Sequence, residues 1–139
     1  MNLISYIKKI PNFKGANFLI RGPLAIIFIL QGLSKLPLDI SDATTYGLPI
    51  TVWFFVAWGE LFAGIGLIFG GLLISKKLNV YGGIITRFCG IVICGIMTGV
   101  ILMQEPDSFI DVLLYDNLHV MMYCGGLFFA LRGNRITQR

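Results

Sequence analysis

Charged side chains are scarce in this sequence: they make up 13% of its 139 residues, against 56% hydrophobic ones, and the mean hydropathy is +0.82. Soluble domains carry about 25% charged residues, so an ordinary water-soluble domain is excluded. Histidine occurs once, and the three cysteines (Cys89, Cys94, Cys124) form no CxxC or CxxCH pattern. The chain therefore carries no haem attachment motif, thiolate cluster or metal site of its own. A GxGxxG fingerprint following a strand is also missing, which removes a nucleotide cofactor. All three cysteines fall inside apolar runs, where they serve as small packing residues and say nothing about an oxidising compartment.

Long apolar runs dominate what is there. Four are read, over 16–36, 50–74, 79–103 and 109–131, each near or above the roughly 20 residues that span a bilayer. The net charge of +4 does not point to nucleic acid, because the basic residues sort by loop. Lys8, Lys9 and Lys14 precede the first run, Lys76 and Lys77 separate the second from the third, and Arg132, Arg135 and Arg139 close the chain. The other two loops hold Asp39, Asp42, Glu105, Asp107 and Asp111. The positive-inside rule then puts both termini and the middle loop in the cytoplasm. The fold expected is all-α: a transmembrane four-helix bundle over 15–132, an amphipathic surface segment over 1–14 and a basic cytoplasmic tail over 133–139. In the first segment Leu3, Ile4, Ile7 and Ile10 alternate with Ser5, Lys8 and Lys9 before Pro11, as in a helix lying on a lipid surface. A cleaved signal peptide fits less well, since Arg21 interrupts the apolar run and no A-x-A-like site follows.

The few polar residues inside the runs fall on helical stripes. Arg21, Gln31 and Lys35 share a face with Leu24 and Phe28; Glu60 shares one with Trp53, Ala57 and Gly64. Arg87 lies with Gly83, Gly90, Cys94 and Thr98, and Asp116, His119 and Tyr123 line up with Gly126. At 1.5 Å rise per residue, Glu60 and His119 lie roughly 15 Å from the outer end and Arg87 roughly 12 Å from the inner one. An ionisable group at such depth costs at least about 2.5 kcal/mol and needs a partner. Pairing of Arg87 with Glu60, and of Lys35 with Asp116 or Asp111, is expected. Arg21 is close enough to the inner boundary to snorkel, and Trp53 to the outer one to anchor. Gly59, Ala63, Gly66 and Gly70 form a strip on which a neighbouring backbone can rest. The polar set is either a group of structural ion pairs or a ligand site made of Arg21, Gln31, Lys35, Glu60, Arg87, Asp116, His119 and Tyr123.

Arg21-Gly-Pro-Leu-Ala-Ile-Ile-Phe-Ile-Leu-Gln-Gly32-Leu-Ser-Lys35 resembles the opening of DoxX-family membrane proteins, and Glu60-Leu-Phe-Ala-Gly-Ile-Gly-Leu-Ile-Phe-Gly-Gly is similar to their second helix. His119 and the closing Leu131-Arg-Gly133-Asn fit more loosely. The resemblance implies a four-helix membrane bundle associated with redox work at the quinone pool, with Arg21, Lys35 and Glu60 as the matching positions. It supplies no catalytic residue. Two functions follow as expectations: a quinone-binding subunit of a membrane oxidoreductase, and a non-catalytic accessory, assembly or structural subunit. In the first, Arg87, His119, Tyr123 and Gln31 would donate to the quinone and Glu60 would relay protons. Both need the bilayer and a protein partner, since the chain has no evident cofactor of its own. A small transporter or proton channel is weaker, for want of an internal repeat. The location expected is the inner membrane of a bacterium, as a multi-pass protein.

The charge pattern makes a topological prediction. Single cysteines placed in 39–45 and in 76–79 of a background lacking the native three should react with an impermeant thiol reagent from opposite sides. Labelling of both loops from one side would contradict it.

Overall fold

The computed structural model describes residues 15–73, 75 and 77–134. The surface helix expected over 1–14 and most of the basic tail lie outside them. Among the described residues six helices follow in order: α1 (Ala16–Ser34), α2 (Ile40–Thr45), α3 (Ile50–Leu72), α4 (Asn79–Met103), α5 (Phe109–Tyr115) and α6 (Asn117–Arg132). No strand occurs among the described residues. Three helices, α1, α3 and α4, are long and apolar enough to cross a membrane. Long helices suit that solvent, because hydrocarbon offers the backbone no hydrogen bonds and each segment must make its own. Together they mark a multi-pass membrane protein.

The fourth expected span is not one helix. The chain bends by 101° between α5 and α6, and the pair makes a span only if counted together. Ser108 caps α5, accepting from the Asp111 N–H at 3.2 Å and donating to its carboxylate at 2.7 Å. Asp116, with φ −112° and ψ 47°, ends α5 and opens α6. None of the α5 side chains is buried, and Phe109, Ile110, Leu114 and Tyr115 all point outward. A short helix with apolar, aromatic flanks set across the bundle suits the membrane–water boundary. At the same end Asp39 caps α2 by accepting from the Ser41 N–H at 2.9 Å, and that bond lowers its pKa.

Neighbouring long helices run antiparallel, and small residues set each seam. Gly32 of α1 lies against the backbone of Ala57 and Leu61, and Gly64 of α3 against Ala25 and Ile29. The expected strip on α3 does face a neighbour: Gly59 meets Val92 and Ile96, Gly66 meets Cys89, and Gly70 meets Gly82 and Thr86 of α4. Gly90 and Gly126 bring α4 and α6 together. α1 touches α6 over a shorter stretch, chiefly through Leu24 on Gly125. The core between them is apolar, with Phe28, Leu67, Ile93, Met97 and Phe129 fully enclosed. Of the cysteines, Cys89 is buried in this core as a packing residue, whereas Cys124 is exposed.

The end holding the start of α1 and the finish of α6 is called here the terminal end, and the end holding α2 and α5 the loop end. At the terminal end α6 stops at Gly133, whose φ of +60° is one that residues with a Cβ rarely adopt.

The seams lead to a stability prediction. A Cβ at Gly90 would press on the Ala130 backbone nitrogen and sit 2.5 Å from the Gly126 carbonyl, whereas at Gly95 it would meet nothing. Gly90→Ala should cost about 1–3 kcal/mol through overpacking. Gly95→Ala should be neutral or should stabilise by up to about 1 kcal/mol through helix propensity. Thermal melting of both variants in detergent checks the contrast, and equal melting temperatures would refute the close α4–α6 approach.

Candidate functional site

The polar residues of the interior do not form one site. They separate into clusters at the two ends of the bundle.

At the terminal end Arg21 is fully buried rather than snorkelled. One guanidinium nitrogen donates to the Leu67 carbonyl at 2.5 Å and to Thr86 Oγ1 at 3.0 Å; the other donates to Asn134 Oδ1 at 2.7 Å. Phe129 lies under the guanidinium with its ring centre 4.6 Å away. Asn134 also accepts from the Thr86 hydroxyl at 2.9 Å and donates its amide to the Gly70 carbonyl at 2.5 Å. Gly71 makes room for the arginine stem, since a Cβ there would lie 2.7 Å from Arg21 Cδ. Among the described residues no carboxylate pairs with Arg21, so neutral acceptors and an aromatic face hold the charge. Thr86 and Asn134 are the partners that sequence reasoning missed. The available signal was the pair Gly133-Asn134, a helix-stopping glycine followed by a side chain able to turn back onto the bundle.

Toward the loop end Glu60 is buried and pairs with Lys35, Nζ to Oε2 at 2.7 Å. The ammonium also donates to the Gln31 carbonyl at 3.3 Å and stands 5.4 Å from the centre of the Trp53 ring. Trp53, in the first turn of α3, is buried and stacks on Tyr46 at 5.2 Å. Its Nε1 has no hydrogen-bond partner among the described residues. Gln31, half-buried, brings its backbone oxygen to this cluster.

Two expected pairs are thereby corrected. Glu60 is paired with Lys35 and not with Arg87; Lys35 is paired with Glu60 and not with Asp116 or Asp111. The cause lies in α4. Its buried face runs through Gly82, Thr86, Cys89, Gly90, Ile93 and Met97, so that of the expected stripe Gly90 alone is buried and the face is centred about one residue away. One residue is about 100° of helix rotation, which turns Thr86 inward and leaves Arg87 exposed at the terminal end.

Asp116 and His119 form a third cluster, with Oδ1 2.5 Å from Nδ1 and the Gln104 amide 3.3 Å from the same ring nitrogen. Gln104 is the cap of α4, so His119 sits at the loop end and not at mid-depth. The bend at Asp116 accounts for the shift, because the depth expected for His119 assumed a straight helix from residue 109. Tyr123 packs against the apolar core, and its carbonyl accepts from Cys94 Sγ at 3.7 Å. Among the described residues no group of His, Cys, Asp and Glu could hold a metal ion.

A cavity of about 360 Å³ lies at the terminal end, lined by Asn79, Gly83, Ile84, Arg87, Arg132 and Asn134 among others. Neither Glu60 nor His119 lines it. Compared with protein families, curated proteins and solved structures, the chain finds no match.

The Lys35–Glu60 pair makes a prediction of its own. Losing one member of a buried pair costs about 3–5 kcal/mol, because the other charge is left alone. Lys35→Met and Glu60→Leu should therefore each lower unfolding stability in detergent, and the double variant should fall short of their sum by about 1–3 kcal/mol. Additive losses would show that the two side chains act independently.

Proposed function

We propose that the chain is a DoxX-like, multi-pass subunit of a bacterial inner membrane, with its terminal end in the cytoplasm. Its work is that of a non-catalytic accessory or structural component of a larger membrane complex. One observation carries this: both buried charges find partners within the chain, Arg21 in Leu67, Thr86 and Asn134, with only its Nε left without a hydrogen bond among the described residues, and Glu60 in Lys35. Groups committed in this way hold helices in register and leave little for a substrate. The DoxX resemblance rests on the same residues. Arg21, Lys35 and Glu60, the positions that carry it, are the residues of these two networks. A likeness resting on such residues travels with fold rather than with a particular chemistry.

A quinone-binding subunit is the second candidate, and the Trp53 cluster favours it. A buried indole N–H without a partner among the described residues offers a donor to a carbonyl oxygen, next to the stacked Tyr46 ring. Electrons would still have to come from a partner.

Purification in mild detergent, followed by solvent extraction of the purified material, separates the two. The accessory role predicts a discrete complex much larger than the 15.4 kDa chain, without stoichiometric quinone. If one quinone per chain is extracted and Trp53→Phe abolishes its retention, the quinone-binding role replaces it.

A further inference from the structure

The cavity at the terminal end lies between the start of α4 and the finish of α6. From α4 come Asn79, Val80, Gly83, Ile84 and Arg87, which share one face of its first turns; from α6 and its end come Arg132 and Asn134. Among the described residues the lining carries two guanidinium groups, Arg132 also lying over the Phe128 ring, and no carboxylate. Its floor is firm, because Asn134 is tied to Arg21, Thr86 and the Gly70 carbonyl. Gly83 keeps it open: a Cβ there would find only the Asn134 backbone nitrogen, at 4.0 Å. Arg87 runs along Gly133, where a Cβ would lie 3.1 Å from its Nε, so the helix-ending glycine lets the arginine lie across the seam.

The walls are amphiphilic. Val80 and Ile84 line the cavity and are largely exposed. Above them Phe88 and Ile91 continue the same exposed ridge up α4, one helical turn at a time. A ligand matching these walls has an anionic group for the arginines and an apolar chain for the ridge. Guanidinium groups suit phosphate, which they hold through paired N–H donors. The depth also suits a headgroup. Arg87 is about 12 Å along α4 from Asn79, and an arginine there extends its head back toward the boundary with its stem in the apolar layer. Basic pockets between transmembrane helices hold phospholipid headgroups in this way.

We propose that the α4–α6 seam is a binding site for an anionic phospholipid, its phosphate held between Arg87 and Arg132 and one acyl chain lying along Ile84, Phe88 and Ile91. The site is separate from the Lys35–Glu60 pair and shares Asn134 alone with the Arg21 network. It requires only that the chain spans the membrane, not that it serves any particular complex.

Native mass spectrometry and thermal melting of the full chain in detergent test this, with phosphatidylglycerol, phosphatidylcholine and sodium pyrophosphate as separate probes. Phosphatidylglycerol should bind at least about tenfold more tightly than phosphatidylcholine and should alone raise the melting temperature markedly; the tenfold difference corresponds to about 1.4 kcal/mol. The double variant R87Q/R132Q should abolish the preference. Gly83→Leu supplies the control for charge and folding, since it fills the cavity and leaves both arginines in place. It too should abolish the preference, whereas a diffuse attraction to basic residues would survive it. Equal binding of the two lipids, or a preference that persists in Gly83→Leu, overturns the proposal. Stabilisation by pyrophosphate without any phosphatidylglycerol preference reassigns the cavity to a soluble phosphorylated ligand and likewise overturns the lipid site.

Discussion

The constraint on which this structure depends is the cost of placing charge where there is no water. An ionised group in the hydrocarbon layer loses its hydration and must recover it from the protein. The chain does this in two ways. Glu60 is met by the opposite charge of Lys35, which leans back from the end of α1 to reach it. Arg21 is met by dipoles instead: a carbonyl of α3, a hydroxyl of α4 and the amide just after α6, with a phenyl ring beneath. That second solution ties together α1, α3, α4 and the end of α6, since the arginine itself belongs to α1. It holds the terminal end where the helices otherwise meet through small residues.

Small residues and charges therefore act as one system. Hydrocarbon provides no hydrophobic drive between apolar helices, so association rests on close packing and on polar contacts. Gly70 lets α4 approach closely enough for Thr86 to join the arginine network, and Gly71 vacates the space the arginine stem occupies. A larger side chain at either position would separate Arg21 from its acceptors as well as spoil a packing surface.

The sequence made some of this legible. Segment lengths and apolar content located α1, α3 and α4, and the spacing of Trp53, Ala57, Glu60 and Gly64 identified the buried face of α3. The glycine strip facing α4 followed from the same periodicity. Pairing was harder to derive. On α4 the apolar residues are spread so evenly that the stripe containing Arg87 and the one containing Thr86 look equally good, and only the positions of the neighbouring helices decide. The break at Asp116 was hidden because hydrophobicity runs on across it, while Asp116-Asn117 is a common helix-start pair that an apolar window outweighs. The first error turned Arg87 toward the core, the second placed His119 at the depth of Glu60, and the single convergent site depended on both.

Separation of the polar clusters also bears on transport. A proton or ion crossing the bundle needs groups close enough to hand it on, and the interior supplies them only near the ends. Glu60 and the Leu67 carbonyl that receives Arg21 are seven residues apart, roughly 10 Å of helix. The buried side chains at that level include Ala25, Phe28, Ala63 and, on α4 and α6, Cys89, Ile93 and Met122, none of them charged. Lys35 neutralises the acid at one end of this plug, and Arg21 places a fixed positive charge at the other, which opposes entry of a cation. A pathway through the core would have to open that apolar section against its own packing. The arrangement is that of a closed bundle with two polar clasps, and ligands or partners are more readily met at its ends and its lipid-facing seams than through its centre.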